Sequence, residues 1–248
     1  MVEEAGSTNA LVAERARAGG PEGLVVLAEH QTAGRGRLDR SWETPARSGL
    51  TFSVLLRPTV PAAAWPWLPL LAGYAVSKAL RAGGFDAAVK WPNDVLLGSG
   101  EDERKVAGIL VERIETPTGP AAVVGIGVNV GMTADELPVP EATSLAVAGE
   151  VPDRTDLLGD LLDTLWEAYV AWQEGGAAAA ERLATSYDAA CATVGRDVAV
   201  SLPGGATLTG RAVEIDPDGR LVVAHGSGER TAVGAGDVVH VRDANRSE

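Results

Sequence analysis

Glu29-His30-Gln31-Thr32-Ala33-Gly34-Arg35-Gly36-Arg37-Leu38-Asp39-Arg40-Ser41-Trp42 is the stretch from which the organisation of the chain is read. Arg35, Arg37 and Arg40 fall within six positions and alternate with Gly34 and Gly36, in a chain of formal net charge -13. Glycine permits positive φ and close approach of backbone to a ligand. Successive N–H groups in such a loop form an anion-binding nest. A guanidinium adds a planar fork of donors matched to carboxylate or phosphate. The stretch reads as a flexible loop that orders over an anion. The competing reading is a solvated turn with surface arginines.

Working outward, residues 24–28 form a short apolar run that leads into the loop as a buried strand, and residues 50–56 leave it as another. Upstream, Ser7-Thr8-Asn9 precedes a helical stretch at 10–18 that stops at Gly19-Gly20, so these residues are read first as caps. Downstream, residues 65–82 have helical length and an apolar stripe, with Trp65 and Trp67 as packing residues. Residues 87–91 read as a strand broken by Pro92, Asn93-Asp94 as a turn, and 95–97 as the next strand. Strands at 106–111 and 121–130 are joined by the turn-forming cluster 116–120. Neighbouring strands with short turns indicate an α+β fold, a mixed or antiparallel sheet packed with helices.

Residues 156–173 and 177–192 read as two more helices. From Gly195 the texture changes to short alternating runs at 198–200, 207–209, 221–223 and 238–241, separated by Pro203-Gly204-Gly205 and Asp216-Pro217-Asp218-Gly219. Such runs indicate a small β-barrel. The expected domains are therefore 1–192 and 193–248.

The acidic balance argues against sequence-independent DNA binding, which needs a basic surface. Cys191 is the only cysteine, so there is no internal disulfide and no zinc ligand set. His30, His225 and His240 are scattered, and no protein metal site is expected. No apolar run reaches the ~20 residues of a membrane span. The start has neither the basic end nor the apolar core of a signal peptide, and a cytoplasmic location is expected.

The loop, as Gln31-Thr32-Ala33-Gly34-Arg35-Gly36-Arg37 through Arg40 and Trp42, resembles the biotin-binding loop of biotin protein ligases. Lys90-Trp91-Pro92-Asn93-Asp94-Val95-Leu96, Lys105-Val106-Ala107-Gly108-Ile109-Leu110 and Gly125-Ile126-Gly127-Val128-Asn129 resemble three further stretches of that family, in its order and approximate spacing. With the tail, the resemblance covers nearly the whole chain. It implies a catalytic domain followed by an SH3-like C-terminal domain. It also implies an enzyme that activates biotin with ATP, carrying Mg²⁺, to biotinyl-5'-AMP. Biotin then passes to a lysine of a biotin carboxyl carrier protein, a domain of a biotin-dependent carboxylase. Asp39 stands where the family usually has glycine. The helix-turn-helix of ligases that also repress transcription is not expected, since Ser7 lies so near the start, and neither is operator DNA binding. Monomer and homodimer both remain open.

The resemblance also implies residue roles. Ser7, Thr8 and Asn9 are expected at the ureido ring and Gln31 on biotin. Gly34 and Gly36 would let the backbone close, while Arg35 and Arg37 meet carboxylate and phosphate. Arg40 either ion-pairs inside the closed site or reaches phosphate. Trp42 covers adenine or anchors the loop. Lys105 is expected at the carboxylate and phosphate, with Gly108 and Leu110 as biotin wall. Lys90 is expected near phosphates and the incoming amine, Asn93 near ATP and Mg²⁺, Asp94 at the reacting centre, and Asn129 on the nucleotide. Gly125-x-Gly127-x-x-x-Gly131 is a near miss of the dinucleotide fingerprint, and no helix pattern opens after it.

A cationic lid suits this reaction because its two reactants are anions. At 4 Å two unit charges repel by ~1 kcal/mol in water but by ~4 kcal/mol at an effective dielectric near 20. Two other readings stand beside the ligase. One is a lipoate or octanoate ligase or transferase of the same fold. The other is a non-catalytic sensor of biotin or biotinyl-AMP, against which Lys90, Lys105 and the three arginines weigh.

Overall fold

Apolar residues at every second position build a seven-stranded sheet in the order β1 (Val2–Ala5), β2 (Val25–Gln31), β3 (Gly49–Leu56), β7 (Gly119–Asn129), β6 (Arg104–Thr116), β5 (Asp94–Leu97) and β4 (Ala87–Lys90). The computed structural model describes residues 1–241 apart from Asp39 and Ser227. The contrast between Asp39 and the family's glycine therefore lies outside the described residues. β1 is parallel to β2 through helix α1 (Thr8–Arg17). The other neighbouring pairs are antiparallel, so the sheet is mixed.

Period-two patterning gives the sheet two unlike faces. Leu50, Phe52, Val54 and Leu56 of β3 join Ala122, Val124, Ile126 and Val128 of β7 in the main core. Helix α2 (Trp67–Ala82) packs on this face, and α4 (Arg154–Glu174) and α5 (Gly176–Ala190) pack against α2. Being flanked by sheet and helices, α2 is buried nearly all round. A 3-10 turn at Ala62–Ala64 delays its start to Trp67. Helix α4 begins at Arg154, earlier than its apolar stripe, because the Asp153 carboxylate accepts from the N–H groups of Thr155 and Asp156. Leu157, Leu161, Leu165, Tyr169 and Trp172 then form its buried stripe. A single turn, α3 (Leu145–Ala148), interrupts the irregular segment before it.

The opposite face is covered at one end, where Val12 and Ala16 of α1 meet Val26, Leu55, Ile114, Ala121 and Val123. Next to that patch, Thr51, Gly127, Gly108, Asp94 and Lys90 form one cross-strand row.

The tail forms a second, antiparallel sheet in the order β11 (Arg230–Val233), β10 (Leu221–Ala224), β9 (Thr207–Ile215), β8 (Asp197–Ser201) and β12 (Asp237–His240). β11 was not expected, since its alternation is exposed and begins on Arg230. Only residues 234–236 separate β11 from β12, which caps their Cα separation at about 14 Å. The edges of a flat sheet of this many strands would stand about 19 Å apart. The sheet must therefore curl toward a barrel, although β11 and β12 do not pair among the described residues. Val198, Val200, Ala212, Ile215, Leu221 and Val223 share one buried cluster with α2 and the larger sheet. The indole N–H of Trp67 donates to the Pro217 carbonyl (2.7 Å) and that of Trp91 to the Gly219 carbonyl (3.1 Å), pinning the second sheet in place.

Candidate active site

Glycine spacing along β6 and β7 makes the floor of the site. Gly125 and Gly127 lie two apart on the open face, and Gly127 pairs with Gly108. A Cβ on Gly125 would stand 2.3 Å from Asn9 Oδ1, and one on Gly127 2.4 Å from Trp42 Cε2. A Cβ on Gly108 would stand 3.0 Å from Trp42 Cζ3. These glycines therefore clear a bare strip of sheet onto which other groups lie flat, and the near miss of a dinucleotide fingerprint is a strand floor.

At one end of the strip is a polar cluster. Gln31 Oε1 accepts from the Thr8 N–H (2.8 Å) and the Thr8 hydroxyl (3.1 Å). Ser7 occupies the cap position of α1, but its side chain makes no cap bond; Gln31 caps the helix instead. Asn9 Nδ2 donates to Leu110 O (3.3 Å) and to Glu112 Oε2 (2.7 Å). Ser53 Oγ stands 2.7 Å from Thr8 Oγ1 and 2.6 Å from Asn9 Oδ1. One hydroxyl proton cannot serve both oxygens, and the Thr8 proton is already given to Gln31. The cluster is thus richer in acceptors than in donors.

The arginine loop folds over the strip. Its ends are tied by Trp42 N–H to Gly34 O (2.9 Å) and Gly36 N–H to Arg40 O (2.7 Å). A Cβ on Gly34 would stand 2.2 Å from Trp42 O and 2.8 Å from Gln31 Nε2, so glycine is required there for packing. At Gly36 the nearest contact would be an ordinary 3.5 Å. Arg35 donates to Glu112 (3.0 and 3.3 Å). Arg37 donates to Asn93 Oδ1 (3.0 Å) and Gly236 O (3.2 Å), and burial holds its pKa below the usual value against the pull of Asp237 and Asp94. Arg40 donates to Asp237, and that bond raises its pKa. Of the two roles open to Arg40, the ion pair is the one present here.

Beyond the floor, Lys105 Nζ lies 2.6 Å from Asp94 Oδ1 and 5.7 Å from the centre of the Trp42 ring. A register shift opposite Val95 and Leu96 leaves Val106 as a bulge, which brings Lys105 and Gly108 to the same face although they are three apart. Asn93 Nδ2 donates to Ile109 O (3.0 Å), so the Asn93 amide joins β6 to Arg37. The Trp42 indole nitrogen is buried without a hydrogen-bond partner among the described residues.

One cavity of about 100 Å³ is lined by Ser7, Thr8, Asn9, Gln31, Arg35, Gly36, Arg37, Arg40, Trp42, Asn93, Asp94, Lys105, Gly108 and Leu110. Three expected residues lie off its wall. Gly34 packs beneath Trp42. Lys90 faces an adjoining hollow with Glu103, Arg196 and His240, and Lys105 borders both spaces. Asn129 is buried and donates to Thr143 O (2.9 Å). Sequence reasoning missed Thr51, Ser53, Glu112, Gly236 and Asp237. Thr51 and Ser53 carry a signal, polar residues alternating within an apolar strand; Gly236 and Asp237 carry none.

Residues 5–129 match the biotin/lipoate A/B protein ligase family, and residues 193–241 match the biotin protein ligase C-terminal domain. A biotin–[acetyl-CoA-carboxylase] ligase of Mycobacterium tuberculosis is 41% identical over 98% of this chain and 88% of its own length. The bifunctional ligase/repressor BirA of Bacillus subtilis is 35% identical over 90% of this chain and 68% of its own. The biotin protein ligase of Aquifex aeolicus, solved in complex with biotin and ATP, superposes with a TM-score of 0.78 at 29% identity, covering 98% of this chain and 97% of the other. A likeness that runs from the glycine floor through the arginine loop to the curled C-terminal sheet makes this chain a member of the biotin protein ligase family.

Proposed function

We propose that this chain is a biotin–[biotin carboxyl carrier protein] ligase with two units, 1–192 and 193–248. The carrying observation is the convergence on one cavity of an acceptor-rich cluster, a bare glycine floor, and Arg35, Arg37, Arg40 and Lys105. A cyclic urea answers the first of these, since an N–H of its ring supplies the donor that either Thr8 Oγ1 or Asn9 Oδ1 is left without when the Ser53 proton goes to the other. The tail of biotin then runs along Gly125, Gly127 and Gly108 toward Lys105. There the biotin carboxylate attacks the α-phosphorus of ATP, pyrophosphate leaves, and biotinyl-5'-AMP forms.

Arg37 and Lys105 hold the two anions together, each charge-assisted bond contributing ~1.5–3 kcal/mol. The closed loop excludes water from an adenylate that would otherwise hydrolyse. The cavity is smaller than the roughly 300 Å³ at which ligand pockets begin, so Trp42 lifts from the floor to cover the adenine. Asp94, released from Lys105 by the arriving anions, orients the carrier lysine. Lys90, across the shared wall, faces the route by which that amine and the phosphates approach. Besides Asp94 and Asp237 the cavity has no carboxylate on its wall among the described residues. That fits Mg²⁺ brought in by the nucleotide, with water filling most of its shell. The ion would supply charge neutralisation at the phosphates.

Incubation with ATP, Mg²⁺ and biotin, lipoate or octanoate in parallel tests the reading. Pyrophosphate release and acyl-AMP are expected with biotin, followed by transfer when a carrier domain is added. Absence of pyrophosphate with biotin, or preference for lipoate or octanoate, overturns it.

A further inference from the structure

The arginine loop does not rest on the larger sheet alone. Arg40 pairs with the Asp237 carboxylate, and Arg37 donates to the carbonyl of Gly236 at 3.2 Å, so both arginines meet the start of β12 from nearly two hundred residues away. That start is held rigidly. Asp237 pairs with Ser201 of β8, and Gly236 lies so close to β8 that an added Cβ would stand 2.7 Å from Val200 Cγ1 and 3.1 Å from Ser201 O. Val200 belongs to the core shared with α2, and Trp67 and Trp91 tie the same sheet down through Pro217 and Gly219. A carboxylate on such a support differs from an ordinary surface pair, whose two partners are both free to drift.

We propose that Asp237, with the neighbouring Gly236 carbonyl, is a catch by which the C-terminal sheet holds the arginine loop closed. Asp237 is in this sense a positioning residue. Arg40 and Asp237 both line the cavity wall, so their bond lies on its border. A loop held down at Glu112 on one side and at Asp237 on the other closes across the whole width of the strip. Resting on the ligase reading, the catch retains the adenylate until the carrier arrives.

Trypsin reads the catch directly, because each arginine of the loop offers a cleavage site. In the ligand-free full chain, Asp237→Asn is expected to raise the rate of cutting within the loop at least fivefold, and Asp237→Glu to stay within twofold of the parent. Arg40→Gln removes the other partner and is expected to expose the bonds after Arg35 and Arg37 to the same degree. Added salt should speed cutting more in the parent than in Asp237→Asn, which keeps only the Arg35–Glu112 pair, and a merely destabilised fold would not reduce that response. Preformed adenylate should escape from Asp237→Asn several-fold faster than from the parent. Loop cutting and adenylate escape at the parental rate in both variants would overturn the proposal. A parent that forms no adenylate would overturn the ligase reading and leave the trypsin result to decide the catch.

Discussion

Gly127→Ala puts the reading of the floor under direct strain. Its Cβ would stand 2.4 Å from Trp42 Cε2, 2.6 Å from Nε1 and 2.7 Å from Cζ2. Carbon atoms in contact prefer about 3.5–4.0 Å, so the indole must retreat by about 1 Å or more. The backbone of Trp42 cannot give way easily. Its N–H is bonded to Gly34 O, and its carbonyl packs against Gly34 so closely that no side chain fits between. The ring therefore rotates off the sheet or the loop lifts. Overpacking of this kind costs about 1–3 kcal/mol. Taken from the ligand-free closed loop, with its indole on the floor, that is about 5–150-fold in its population.

Trypsin should cut the ligand-free loop of Gly127→Ala faster than that of the parent by a factor in that range. The melting temperature should move little, because the strain falls on a surface loop. Gly131→Ala is the matched control, since its Cβ would meet nothing nearer than 3.7 Å. In a Trp42→Ala background the effect of the added methyl on cutting should disappear, because no indole then lies on the floor. If the cutting rate of Gly127→Ala stays within twofold of the parent, the indole does not rest on a glycine floor.

Asp94→Asn keeps the shape of the side chain but loses the charge facing Lys105, and transfer to the carrier should slow more than adenylate formation; equal slowing of the two steps, measured separately, contradicts the role. His240 gives a pH prediction: burial, then the charges of Lys90 and Arg196, lowers its pKa to about 4 from 6.5. The folded state therefore binds fewer protons than the unfolded chain between those values, so stability present above pH 6.5 is lost as pH falls toward 4, by up to ~3 kcal/mol. Urea unfolding across that interval should show a slope that His240→Asn removes, and an unchanged slope refutes it.

The sheet and its helices were legible because burial on one face writes a two-residue period and burial of a stripe writes a helical one. The same logic explains what was missed. Ser53 sits on the open face of a strand whose other face is all core, so its polarity marks the site, but within a mainly apolar run it passes for strand filler. Glu112 continues the alternation of Gly108 and Leu110 on β6 and is legible once that face is known to hold the site. Gly236 and Asp237 were not legible at any level. Their part in the loop depends on how the second sheet docks, which is decided by Trp67, Trp91 and a shared core rather than by anything near residue 237. Membership of a motif also differs from membership of the cavity. Lys90 and Asn93 belong to one motif, yet Asn93 lines the cavity and Lys90 the hollow beside it.

Lys105 shows where simple periodicity has to fail. It and Gly108 are three apart in a strand, and regular pleating would place them on opposite faces. If both belong to one site, the strand between them must carry an extra residue, so the spacing of the motif already demands a bulge. The structure has one at Val106, where two residues of β5 face three of β6. Val106 and Ala107 consequently both enter the core, and Lys105 swings back to meet Asp94. An apolar pair between a lysine and a glycine is thus a bulge signature whenever both flanks are needed on one side. It locates the point at which the sheet turns a cation toward the reacting anions.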